Sequence, residues 1–172
     1  YETWYAPNNA ILVVSGDITA DTLRPLAETI YGELPKEDVP ERDWTEVPPL
    51  LGLQKLTLRD PSIRQPVLYR LYRVPSYRQD KEEALALQVL EEIMSGGAAT
   101  RLYKSLVVDQ QIATSASMSY NPTSYSDSIT TFSLVPAPDT SLEKLEVALN
   151  QELRTLIEDG VTDKELAEAK KR

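Results

Sequence analysis

Residues 112–135 read Ile112-Ala113-Thr114-Ser115-Ala116-Ser117-Met118-Ser119-Tyr120-Asn121-Pro122-Thr123-Ser124-Tyr125-Ser126-Asp127-Ser128-Ile129-Thr130-Thr131-Phe132-Ser133-Leu134-Val135. The second half alternates. Ile129, Thr131, Ser133 and Val135 fall on one side, and Thr130, Phe132 and Leu134 on the other, which is the two-residue period of a strand. The first half, 112–120, is built of Ala, Ser, Thr and Met and reads as a companion strand. Asn121-Pro122 through Asp127 supplies the turn formers between them. Strands joined this directly pair antiparallel, because a parallel pair needs a long crossover. The stretch therefore predicts a hairpin, and with the helices around it an α+β fold with a mainly antiparallel sheet.

Downstream, Thr140-Ser141-Leu142-Glu143 reads as a capping box. It opens a helix whose Leu142, Leu145, Leu149, Leu153 and Leu156 form one stripe, with Gly160 as the C-cap. Thr162-Asp163-Lys164-Glu165 reads as another capping box. Upstream, Asp80-Lys81-Glu82-Glu83 caps a helix with Ala86, Leu87, Leu90, Ile93 and Met94 on one face, stopped by Gly96-Gly97. A second helix is expected over Ala99 to Val108, with Leu102, Tyr103 and Leu106 inward. Pro66 to Val74 reads as a strand with both faces partly apolar. Leu53 to Arg59 reads as an imperfect strand ahead of the Asp60-Pro61-Ser62 turn.

Nearer the start, Tyr1 to Tyr5 reads as a last helical turn broken at Pro7-Asn8-Asn9. Ala10-Ile11-Leu12-Val13-Val14 is a short apolar run that predicts a buried central strand closed by Gly16-Asp17. Thr19 caps a helix with Leu23, Leu26, Ala27 and Ile30 on its apolar face, ended by Gly32 and Pro35. Residues 35–50, with Pro35, Pro40, Pro48 and Pro49 among charges, read as an internal linker crossing the surface. The expectation is one domain over 1–172, in the order β–α–linker–β–β–α–α–β–β–α–α, with its helices on one face of the sheet.

The 172 residues contain neither His nor Cys and carry a formal net charge of −9. Imidazole and thiolate chemistry is therefore excluded, and with it the ordinary zinc donors and the usual nucleophile–base pairs. Carboxylates could hold a hard cation, but no calcium-loop pattern D-x-[DN]-x-[DN]-G is present. The negative charge opposes nucleic acid and anionic membrane surfaces. No apolar run approaches the ~20 residues that span a bilayer. The chain starts without Met and stops at Ala169-Lys170-Lys171-Arg172 inside a helix-like pattern, so a piece of a longer protein is expected.

Three stretches carry a family resemblance. Trp4-Tyr5-Ala6-Pro7-Asn8-Asn9-Ala10-Ile11-Leu12-Val13-Val14-Ser15-Gly16-Asp17-Ile18 is similar to a Y-x-P-N-N-x-x-L-V-V-x-G-D segment. Tyr72-Arg73-Val74-Pro75-Ser76-Tyr77 leads into the capped helix. Ile93-Met94-Ser95-Gly96-Gly97-Ala98-Ala99-Thr100-Arg101-Leu102-Tyr103-Lys104-Ser105-Leu106 resembles a Gly-Gly-x-x-S-R-L-x-x-x-L turn. In this order and spacing they resemble the insulinase/pitrilysin (M16) zinc peptidases over nearly the whole chain. Read from the residues alone, Gly96-Gly97 supplies backbone freedom between helices and Arg101 caps or pairs locally.

The resemblance implies a chamber of related α/β domains, two per half, with zinc held by an inverted His-x-x-Glu-His motif in the first domain of one half. With no His here, that motif would lie upstream in the parent protein, and this fragment would hold no cofactor. Relatives from the zinc-free half carry an Arg and, seven residues on, a Tyr that meet substrate. Val107 and Thr114 stand at those places. The chain thus more closely resembles the second, non-zinc-binding domain of the zinc-bearing half.

The resemblance further implies a peptide or unfolded polypeptide substrate, and as partners the upstream zinc-binding domain and the second half. In some relatives the corresponding strand and Gly-rich turn anchor the end of an unfolded peptide by strand addition. That points to Gly96, Gly97, Ser115, Ala116, Ser117 and Met118 as substrate-binding residues, with no catalytic or metal-binding residue in the chain. The residues leave the compartment open; the resemblance of Gln110-Gln111-Ile112-Ala113 to exported bacterial relatives implies a periplasmic location if the source is bacterial. The alternatives are a domain of a catalytically inactive M16-like partner or core subunit, and an unrelated α+β ligand-binding domain.

Overall fold

A computed structural model describes every residue except Tyr1, Trp44, Glu46 and Arg172. The chain separates into two compact units, Tyr1–Leu56 and Thr57–Arg172.

In the first unit residues 2–4 turn, and Pro7–Asn9 forms a 3₁₀ turn; Tyr1, part of the expected helical turn, lies outside the described residues. Asn8 ties this turn to the later segment, donating from Nδ2 to the Glu37 carbonyl (3.1 Å) and accepting at Oδ1 from the Glu37 N–H (3.0 Å). Helix α1 spans Ala20–Tyr31, with the Thr19 hydroxyl accepting from the Thr22 N–H and Gly32 closing it. Cap and stop agree with the sequence reading. The strand expected at residues 10–14 does not form. The segment runs without a partner strand among the described residues, and Ile11 and Val13 are 90% and 83% exposed. A strand is a property of a pair, and propensity alone cannot supply the ladder. The apolar face of α1 is likewise open at Leu26 and Ile30.

The second unit holds the sheet. Strand β1 is Leu68–Val74, helix α2 Lys81–Ser95, strand β2 Ala113–Tyr120, strand β3 Ser128–Pro136, helix α3 Leu142–Asp159 and helix α4 Asp163–Ala169. The sheet order is β1-β3-β2, antiparallel throughout. The hairpin read from residues 112–135 is thus present, and β1 lies across β3 from it. The strand expected over residues 53–59 is absent, and Leu53, Leu56 and Leu58 stand exposed. The alternation is there but, as at 10–14, no ladder forms.

One sheet face packs on helices. Leu134 lies opposite Leu68 on one side and Ala116 on the other, and Phe132 opposite Arg70 and Met118. These join Met94, Leu102, Leu106, Leu145 and Leu149 in a single core. Each such leucine, fully removed from water, contributes roughly 2 kcal/mol. Tyr72 meets Phe132 edge-on, ring centroids 6.0 Å apart. Arg70, on the same face, reaches Asn150 and Glu146 of α3, the latter at 3.0 Å. The opposite sheet face is open, with Tyr69, Leu71 and Ile129 exposed.

Two local readings need correction. The N-cap of α3 is Ser141, which accepts from the Lys144 N–H at 3.2 Å, one residue later than the Thr140 start expected. Either hydroxyl can cap, so sequence leaves the choice to the approach of the chain. The helix expected over Ala99 to Val108 begins only after a turn through residues 98–100 and winds as a π-helix over Tyr103–Asp109. The Gln110 N–H bonds to the Ser105 carbonyl, five residues back. Leu102, just before this segment, and Leu106, within it, are both fully buried in the core.

Candidate functional site

Beside the outer edge of β2 lies the turn that ends α2. The α2 N-terminus is secured by Asp80, whose carboxylate accepts from the Glu83 N–H at 2.9 Å. Its other end stops at Gly96, followed by Gly97 with φ 156°. The Ser95 hydroxyl donates to the Met118 carbonyl at 2.7 Å. That bond joins the Gly96–Gly97 turn to the strand, so two parts of the expected site are neighbours.

Backbone alternation then sorts the strand. In an antiparallel strand the N–H and C=O of one residue face the same way, and the next residue's face the opposite way. The Met118 carbonyl points to the outer edge, where Ser95 takes it. The Tyr120 N–H points there too, donating to the Glu91 carboxylate. Burial pushes the Glu91 carboxyl above its ordinary range against that hydrogen bond. Glu91 and Ser95, four apart on α2, share a helix face, and they cover the β2 edge at Tyr120 and Met118. By the same alternation the outward backbone groups nearer the strand start belong to Ala116.

The side chains alternate the other way. Ala116 and Met118 are buried, facing the core, so neither offers a side chain to a ligand. Ser115 and Ser117 lie on the open sheet face, with the Ser117 hydroxyl 3.5 Å from the Ser133 carbonyl. Any contact at Ala116 would be through its backbone. Val107 is partly buried against the core from the π-helix, and Thr114 is exposed at the start of β2, its hydroxyl 3.5 Å from the Val135 carbonyl.

The turn is held from its far side as well. Arg101 Nε donates to Glu165 Oε1 at 2.5 Å, and its Nη2 donates to Glu165 Oε2 and to the Gly160 carbonyl, each at 2.8 Å. The sequence suggested a local partner for Arg101; the structure gives it one 64 positions away. Glu165 also accepts from the N–H and hydroxyl of Thr162, completing the expected capping box of α4. Hydrogen bonding from Arg101 holds the Glu165 carboxyl down to about 2. Glu91, Ser95 and the reach of Arg101 were not read from sequence. The only available signal was the spacing of Glu91 and Ser95, which resembles any solvated helix face.

The family model described as the peptidase M16 inactive domain matches residues 1–172. The chain belongs to that family. This M16 inactive domain also resembles the crystal structure of a protease from Helicobacter pylori, with a TM-score of 0.72 at 20% identity. The match covers 98% of the present chain and 40% of the protease chain, and at that identity the likeness is one of fold. No curated protein matches. The α+β architecture with an antiparallel sheet is that of the family's non-catalytic domain.

The chain offers no ordinary zinc donor set. It has no His or Cys, and among the described residues no group of three or more carboxylates gathers for a metal. Among the described residues no helix is long and apolar enough to cross a membrane.

Proposed function

We propose that this domain is a chamber-forming and substrate-anchoring part of a zinc-dependent peptidase, placed in the zinc-bearing half after the zinc-binding domain. The parent would hydrolyse peptides or unfolded polypeptides with zinc bound upstream. The present chain would hold one end of the substrate as an added strand on β2. One observation carries the reading: β2 is an edge strand beside a Gly-Gly turn, and Ala116 turns its backbone groups outward next to positions that α2 has closed. An added strand is recognised through its backbone and so tolerates varied sequences. Small side chains at 113–117 let a second backbone approach. The closed positions at Met118 and Tyr120 restrict pairing to the first half of the strand.

The test is a soak of an unstructured peptide into crystals of the intact parent protein. Density along residues 113–117 is expected. Density elsewhere in the chamber with none on this strand would remove the anchoring role.

A further inference from the structure

The Gly96–Thr100 turn has two tethers, one at each end. At one end the Ser95 hydroxyl is bonded to β2, 2.7 Å from the Met118 carbonyl. At the other, Arg101 is bonded to the α3–α4 corner through Glu165 and the Gly160 carbonyl. Between them the bonds are local: the Gly96 N–H reaches the Glu92 carbonyl at 3.0 Å, the Thr100 N–H and hydroxyl reach the Gly97 carbonyl at 3.1 and 2.5 Å, and the Thr100 carbonyl accepts from the Lys104 N–H at 2.8 Å. Two adjacent glycines have no side chains to pin them, so the tethers decide where that backbone lies.

The corner itself is rigidly specified. Gly160 takes φ 73°, a conformation that suits glycine alone among common residues. Glu165 is fixed by the Thr162 cap at the moment it binds Arg101, since its Oε2 accepts from both. A guanidinium gripping both oxygens of one carboxylate sets direction as well as distance. The side chains of Arg101 and Glu165 are mostly shielded, at 17% and 27% exposure, so water competes weakly.

We infer that Arg101 is a positioning residue for the peptide-binding edge: its grip on Glu165 and Gly160 places the Gly96–Gly97 turn against β2, so the α3–α4 corner sets the affinity of that edge. The inference rests on the reading of β2 as a peptide anchor. A shift of α4, which also packs on α2, is then transmitted to the turn by Arg101 without any contact between α4 and the ligand.

The test uses the intact parent protein and a labelled unstructured peptide. Wild type is compared with Ala116→Pro, which deletes the outward N–H of the edge while an edge strand still tolerates proline. Binding that Ala116→Pro abolishes assigns the peptide to β2. Arg101→Lys and Glu165→Gln are then expected to weaken that binding about tenfold. Amide exchange should rise at Gly96–Thr100 and stay unchanged in the β2–β3 ladder. Unaltered affinity and exchange in both variants overturn the positioning role while the anchoring role stands. Exchange that rises equally through the ladder also overturns it, since the ion pair then only stabilises the fold. If wild type binds no peptide, the anchoring role fails, and unchanged exchange at the turn sinks the positioning role separately. Arg101→Lys keeps the charge and serves if Glu165→Gln does not fold.

Discussion

Arg101 and Glu165 form a two-pronged ion pair, 2.5 and 2.8 Å, that joins the start of the π-helical segment to the first turn of α4. Losing either partner leaves the other shielded and uncompensated. Arg101→Ala should cost about 2 kcal/mol in chemical denaturation. Glu165→Gln keeps a capping acceptor and should cost less.

The same pair predicts an acid limit. The Glu165 carboxyl lies at about 2 in the folded chain, below its ordinary 4.5. A depressed carboxyl adds stability that is complete above its unfolded value and is lost as pH falls through the folded one. The contribution should therefore be intact at pH 5 and drain away between about 4.5 and 2. Denaturation midpoints across that window should fall less steeply for Glu165→Gln than for wild type. Parallel curves would mean the pair is solvated in solution.

Ser95→Ala frees the Met118 carbonyl on the outer edge of β2. The hydrogen bond is neutral, so the stability cost should be about 1 kcal/mol. Peptide affinity should fall, because one of the two tethers that hold the Gly96–Gly97 turn against β2 is lost. Unchanged or higher affinity would show that the freed Met118 acceptor outweighs this tether.

Burial along α3 makes a sharp contrast. Leu149 is fully buried, whereas Ile157 is 82% exposed on the same helix. Leu149→Ala should cost about 3 kcal/mol through transfer and cavity together. Ile157→Ala should change stability by less than ~0.5 kcal/mol. Thermal unfolding of the two variants reads the difference directly.

Ser76 is fully buried, and its hydroxyl has no hydrogen-bond partner among the described residues. Its backbone does the local work, donating to Gln79 Oε1 at 3.0 Å and accepting from the N–H groups of Gln79 and Asp80. Ser76→Ala removes only the unpaired group. It should be neutral or stabilising by up to ~1 kcal/mol in the same unfolding assay.

Local chemistry made much of the second unit legible. The Asp80 and Thr162 caps, the Gly160 stop and the alternation through Phe132 and Leu134 each act over a few residues, and each appears where expected. What stayed hidden depends on distant partners. Residues 10–14 have strand composition but no ladder, and no composition rule announces the π-winding at Tyr103–Asp109. For the candidate site, Gly96–Gly97 and β2 are neighbours as the family resemblance implied. That α2 would cover Met118 and Tyr120 could not be seen, because Glu91 and Ser95 meet β2 only after the sheet and helix pack. The choice of Glu165 by Arg101 was invisible for the same reason.

The bare stretch at residues 10–14 governs how this polypeptide behaves in the tube. Ile11 and Val13 offer water a greasy ribbon with no partner strand among the described residues, which is a template for another copy to stick to. Mutual repulsion from the formal charge of −9 keeps copies apart near neutrality. Acidifying the buffer titrates away that repulsion, and concentrated salt screens it. Turbidity should therefore appear under either treatment well before the sheet and its helices come apart.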